Sequence, residues 1–298
     1  MNGRTRVESG IAAVIFDWAG TIVDFGCFAP TVSIVETFAQ RGVTVSLSEA
    51  RGPMGLEKRE HLRHLLADEG IRRQWKEATG ADPDPRDADS LYEDLEPRLR
   101  EAVKRHSALI PGTKELVDEL RSWGIRIGST TGYLRPIMDI LTVEAARQGF
   151  FTDAVVCPSE VPAGRPYPWM CFRNAVTLGV YPPRRLVKIG DTPADVQEGL
   201  NAGMWTIAVT LSGNEVGLSE TDLQSMGEED RNARLKDAER RLIAAGAHYV
   251  AESAATCRAV LARIEERIMR GEHPSRANSP DGNDPRTGSG SHHDFTKS

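Results

Sequence analysis

IAAVIFDWAGT, residues 11–21, is a short continuous apolar run that ends on an aspartate followed by a glycine turn. A run of this length with no polar alternation reads as a strand buried on both faces of a parallel sheet. Asp17 then stands at its carboxyl end. Three later segments repeat the pattern: residues 125–129 lead into TTGY, residues 154–157 into PSEVPAGRPYP, and residues 186–189 into GDTPADV. Residues 205–210 (WTIAVT) give a fifth strand. Helical patterns lie between them, at residues 113–122 and 170–178. Such alternation predicts an α/β fold, a Rossmann-like parallel sheet core with helices on both faces. Ligands of such sheets bind outside the carboxyl ends of the strands, where all of these polar clusters fall.

Residues 24–104 break the alternation. They read as amphipathic helices at 31–41, 53–68, 71–79 and 91–105, with DPDPRDAD (residues 82–89) as a loop among them. An all-helical insertion after the first strand predicts a cap domain over the active edge of the sheet. The expected organisation is a core of residues 1–23 and 105–270, a helical cap of residues 24–104, and a disordered tail of residues 271–298. That tail is rich in Gly, Pro, Ser, Asn and Asp.

The chain has 298 residues and a formal net charge of −6, which offers no general attraction to nucleic acid or anionic membrane. Four cysteines without a CxxC pair fit reduced thiols better than a zinc cage or a disulfide scaffold. The polar N-terminus and the short apolar run after it do not make a signal or membrane segment. A cytoplasmic protein is expected, with a small-molecule substrate and neither nucleic acid nor membrane as partner.

The strand-end residues form a coherent set for phosphoryl transfer. A carboxylate at position 17 can attack phosphorus. A hydroxyl with the following N–H, at Thr131 and Gly132, can hold phosphoryl oxygens, with Thr130 an equal claimant from sequence. Arg165 can neutralise the phosphoryl group and Asp17. Asp191 can join Asp17 in holding Mg²⁺, a hard cation bound through few carboxylates. Asp195 can steady the metal's waters or Arg165. Singly, each residue is ordinary, since aspartates at strand ends commonly cap turns; their order and common location give them weight.

Taken together, these positions resemble the haloacid dehalogenase superfamily of phosphotransferases. That resemblance implies a nucleophile at Asp17, and metal ligation by Asp17, the Ala19 backbone carbonyl and Asp191. One departure is informative. Most phosphatases and mutases of that superfamily carry a second aspartate two residues after the nucleophile, and here that position is Ala19. The general acid for the leaving group is therefore missing. PMGLEKREH (residues 53–61) offers a substitute. Pro53 suits a first helical turn, and Met54, Lys58 and His61 are then spaced to share one helix face.

With this pairing the chain resembles the phosphonoacetaldehyde hydrolase (phosphonatase) family from about residue 11 to about 268. DWAGTIVDFGCFAP, PMGLEKREH, GSTTGY, VPAGRPYPWMC, KIGDTPADV and NAGMW carry the likeness. It implies cleavage of the P–C bond of phosphonoacetaldehyde through a Lys58 imine and an Asp17 aspartyl phosphate, with Mg²⁺ as cofactor. It also implies that His61 and Met54 assist imine formation, that Cys27 and Tyr133 line the site, and that the enzyme is a homodimer. From the residues alone, Cys27 and Tyr133 could equally be packing. A phosphatase or mutase of the same superfamily is the alternative, though it would want Asp at position 19. A catalytically dead binding module is disfavoured by the intact acidic set.

Overall fold

The computed structural model describes residues 10–274. Six strands, β1 (Ala13–Phe16), β2 (Arg126–Thr130), β3 (Ala154–Val156), β4 (Leu186–Gly190), β5 (Trp205–Val209) and β6 (Tyr249–Ala251), form one sheet in the order β3-β2-β1-β4-β5-β6. Every pairing is parallel. The expected parallel core is present, extended by β6, whose three residues carry too short a pattern to be read from sequence.

In chain order the helices are α1 (Phe28–Gln40), α2 (Leu47–Arg51), α3 (Lys58–Ala67), α4 (Glu69–Thr79), α5 (Pro85–Arg105), α6 (Thr113–Ser122), α7 (Arg135–Arg147), α8 (Trp169–Leu178), α9 (Pro193–Asn201), α10 (Glu220–Ser225), α11 (Glu228–Ala244) and α12 (Ala254–Met269). Successive residues of β1 point to opposite faces. Val14 and Phe16 pack in one cluster with Val117 of α6, Ile137 of α7 and Leu261 of α12. Ala13 and Ile15 pack on the other side with Cys171 and Ala175 of α8. Both faces are thus covered, which is why the strands read as unbroken apolar runs.

The inserted helices α1 to α5 build a second core, in which Ile34, Phe38, Leu62, Ile71, Trp75, Leu91 and Leu95 are buried together. Helix α5 spans both cores. Its Leu91 and Leu95 belong to the cap, while Leu99, Ala102 and Val103 pack into the core of the sheet. By packing, therefore, the boundary near residue 104 falls inside a rigid helix.

Two local expectations are corrected. DPDPRDAD is not all loop: Asp84 caps α5, Pro85 occupies its first turn, and Asp87 completes a reciprocal capping box, so the helix begins at Pro85. The helix expected at 53–68 begins only at Lys58, with Glu57 as its cap, and Met54 lies in the turn that follows α2. At the start of the expected tail, Glu272 accepts hydrogen bonds from Arg267 and Arg270 at 2.6 and 3.0 Å. Residues 275–298, the remainder of the expected tail, lie outside the described residues.

Candidate active site

The strand order reverses beside β1: the chain passes from β1 to β2 on one side and later returns to β4 on the other. The crevice at that reversal is where such sheets bind ligands. Asp17 follows β1 and Asp191 follows β4, so two carboxylates from distant parts of the chain meet there. Gly20, with φ of 82°, turns the chain after β1; a Cβ on it would lie 2.4 Å from Asp191 Oδ2 and 2.5 Å from Cys27 Sγ. Only glycine admits that approach.

The cap closes this crevice. Asp17, Ala19, Met54, Lys58, Thr131, Gly132, Tyr133, Arg165 and Asp191 all line one small cavity, together with Pro30, Gly55 and Thr192. Two glycines let the cap come down. A Cβ on Gly132 would lie 2.4 Å from the Leu56 carbonyl oxygen, and one on Gly55 would lie 2.3 Å from Thr192 Oγ1. Lys58 Nζ stands 3.8 Å from Met54 Sδ and 5.3 Å from the centre of the Tyr133 ring. Burial lowers its pKa to about 8, against the opposing pull of Cys27, Glu57 and Asp17. Lys58 therefore carries a substantial neutral fraction near physiological pH, as a nucleophilic amine requires.

Beneath the cavity lies a buried network of ions. Arg165 Nη2 donates to Asp17 Oδ1 at 2.6 Å, its Nη1 pairs with Asp195 at 3.1 Å, and its Nε donates to Glu198 at 2.9 Å. Lys188 Nζ donates to Asp195 at 2.7 Å and lies 3.5 Å from Glu198. Burial works against the Arg165 charge, but Asp17, Asp195 and Glu198 outweigh it and hold the guanidinium fully charged. Burial would raise Asp195 as well, yet Arg165 and Lys188 keep it below the usual carboxylate range. Asp17 and Asp191 differ. Burial pushes both above their ordinary value, and Asp17 adds to the rise at Asp191.

Oxygens of Asp17, Asp191 and Asp195 lie within 4.8 Å of one another. Asp195 is already committed to two cations, so Asp17 and Asp191 are the carboxylates left for a metal. An all-oxygen pair whose burial disfavours ionisation suits a hard divalent cation such as Mg²⁺.

A haloacid dehalogenase-like hydrolase model matches residues 11–203. Phosphonoacetaldehyde hydrolase of Nitratidesulfovibrio vulgaris is 50% identical over 91% of this chain and 97% of its own. The chain belongs to the phosphonoacetaldehyde hydrolase family of haloacid dehalogenase-like hydrolases. Another relative of that name, from Bacillus thuringiensis, is 46% identical over 87% of this chain and 98% of its own. The crystal structure of a phosphonoacetaldehyde hydrolase-like protein from Oleispira antarctica superposes with a TM-score of 0.88 at 38% identity, covering 92% of this chain and 99% of that one.

For a member of this family, most of the residues singled out by sequence converge, with three amendments. Thr131, and not Thr130, lines the cavity; Thr130 Oγ1 is committed to Glu198 and Arg165, at 2.9 Å each. Cys27 is not among the lining residues; its Sγ donates to Asp191 Oδ2 at 3.3 Å. Burial, Asp191 and Asp24 raise its pKa well above that of an ordinary thiol, so it acts as a donor. His61 is also absent from the lining. It is one turn along α3 from Lys58, but its Nε2 lies 2.9 Å from the Ala50 carbonyl oxygen and ties α3 to α2. Met54 does reach the cavity, from the turn before α3 and not from a shared helix face.

Sequence reading missed Lys188 and Glu198. A lysine inside the apolar run LVKI was itself a signal, since buried lysines need partners. Glu198 lies three residues after Asp195 and so shares its helix face.

Proposed function

We propose that this chain hydrolyses phosphonoacetaldehyde to acetaldehyde and phosphate. The observation that carries the reading is the pairing of Ala19, which removes the usual acid, with the amine of Lys58 in the same closed cavity as Asp17. Neutral Lys58 adds to the aldehyde carbon, the adduct takes up a proton from solvent, and water leaves, giving a cationic imine. An Asp17 oxygen then attacks phosphorus. The P–C bonding pair flows into the imine, so an enamine departs and no proton need reach the leaving carbon at that moment. Water cleaves the aspartyl phosphate. The enamine takes a proton at carbon, and hydrolysis of the imine frees acetaldehyde and restores Lys58.

Arg165, Thr131 and Gly132 hold the phosphonate oxygens, and Arg165 also orients Asp17. Asp195 keeps Arg165 in place. Asp17, Asp191 and the Ala19 carbonyl would hold Mg²⁺, which neutralises charge on the phosphoryl oxygens. Tyr133 and Met54 shape the aldehyde end. His61 acts on Lys58 indirectly, by tying α3 to α2 through the Ala50 carbonyl.

The division of labour follows the proposed domains: the core holds the phosphoryl group and the cap of residues 24–104 supplies the amine. We also propose a homodimer joined through the cap helices, which sedimentation over a range of concentrations would test. A cytoplasmic setting is supported by four buried, free cysteines. Among the described residues no helix is long and apolar enough to cross a membrane.

The deciding experiment is release of phosphate and acetaldehyde from phosphonoacetaldehyde, with Mg²⁺ and with chelator. Equimolar products that need Mg²⁺ are expected. Hydrolysis of phosphate monoesters with no action on the phosphonate would instead make the chain a phosphatase.

A further inference from the structure

The loop after β5, residues 210–218, is absorbed by neither the sheet nor the cap, yet it touches Asp191, the turns at Gly20 and Gly26, and the cap together. The Asn214 backbone N–H donates to Asp191 Oδ2 at 2.7 Å, closer than either Thr21 Oγ1 or Cys27 Sγ, each 3.3 Å from that carboxylate. Ser212 Oγ donates to the Gly20 carbonyl at 2.7 Å, and its own carbonyl accepts from the Gly26 N–H at 2.7 Å. The loop thus grips both glycine turns that lead from β1 into the cap.

The Asn214 side chain, 5% exposed, faces the cap. Its Oδ1 accepts from Arg51 Nη1 at 3.3 Å, and its Nδ2 donates to the Arg51 carbonyl at 3.2 Å. The same Arg51 Nη1 donates to the Gly26 carbonyl at 2.7 Å. Arg51 ends α2, seven residues before Lys58, and lies against Gly217; a Cβ there would come within 2.8 Å of its guanidinium. A carboxamide is the side chain that can both accept from Arg51 and donate to it; Asp would lose the donor and Ala both contacts.

We propose that Arg51 and Asn214 are positioning residues that couple closure of the cap to the placement of Asp191 for Mg²⁺. When the cap is down, the reciprocal bond fixes residue 214, whose N–H holds Asp191 Oδ2 in place. When the cap lifts, the loop loses that tie and the carboxylate loses its nearest donor. Linkage makes the effect reciprocal: the metal favours the closed cap by the same factor that the closed cap favours the metal. The cap that brings the Lys58 amine would then also complete the metal site, so neither half of the site is ready without the other.

The proposal rests on Asp191 being a metal ligand, and calorimetric titration with Mg²⁺ separates the two ideas without any substrate. Asn214→Ala and Arg51→Met should each weaken Mg²⁺ by about tenfold, with Arg51→Lys weakened less. The double variant should be no weaker than the worse single one, because both remove the same tie. Melting temperatures without metal, which a merely structural role would lower, should change little. Hydrogen exchange on the unaltered protein gives a second reading should a variant fold poorly: Mg²⁺ should slow exchange in residues 51–55. If wild-type protein binds no Mg²⁺, the metal-ligand reading fails. If it binds, and Asn214→Ala binds equally well or residues 51–55 exchange at the same rate with and without metal, the coupling is overturned.

Discussion

Lys58 decides the chemistry, and its environment decides Lys58. Burial disfavours the ammonium, so its pKa falls from 10.5 to about 8. The neutral form is the nucleophile, and its fraction grows as pH rises towards that value and levels off above it. Trapping of the imine with borohydride in the presence of phosphonoacetaldehyde should therefore quicken about tenfold per pH unit below pH 8 and flatten above it. A trapping rate independent of pH between 6 and about 8 would contradict this value. Lys58→Arg retains a charge but cannot form the imine under ordinary conditions, and it should lose both trapping and turnover. An adduct mapped to another lysine would move the imine elsewhere. Position 19 belongs to the same argument: Ala19 was legible as a missing acid from the sequence alone, because the motif around it fixes what that position would otherwise do.

The junction between core and cap depends on one element in particular. Helix α1 has no side-chain cap at its own N-cap position, Cys27, and Asp24 serves instead, accepting from the N–H groups of Phe28 and Ala29 at 2.9 and 3.0 Å. Burial raises Asp24 from 3.8 to about 7, against those two bonds and Arg51, while His106 at the C-terminal end of α5 lies 3.5 Å away. The sign follows from linkage. A carboxyl that binds its proton more tightly when folded favours the fold at acidic pH, and that contribution is lost as pH rises from 3.8 to about 7. Asp24→Asn loses one acceptor, at a cost of about 1 kcal/mol, but it no longer has to ionise in a buried place. Its stability relative to wild type should improve between pH 5 and about 7.5, read as the difference in urea midpoints. A difference that does not change with pH would mean that Asp24 stays ionised throughout.

At the scale of the whole molecule, four buried carboxylates (Asp17, Asp191, Asp195 and Glu198) lie close together, and burial raises the pKa values of Asp17 and Asp191 despite Arg165, Lys188 and Arg51 nearby. A divalent cation would relieve that cost, so Mg²⁺ should stabilise the fold as well as support turnover. At a hundredfold excess over its dissociation constant it should add about 2.7 kcal/mol, seen as a rise in melting temperature. Asp191→Ala should abolish that rise, and a Mg²⁺-induced shift that survives the substitution would place the ion elsewhere. The sequence by itself determined five of the six strands, the helical insertion and the strand-end residues, because apolar runs and glycine turns act over a few neighbouring positions. It also determined the chemistry implied by Ala19 with Lys58, since both stand inside recognisable motifs. Tertiary structure alone decided that Thr131 and not Thr130 faces the cavity, that His61 turns to Ala50, and that Arg51 meets Asn214 across 163 positions of chain. Those outcomes depend on how whole elements pack and which buried charges must be partnered, and no local pattern encodes a contact between segments so far apart.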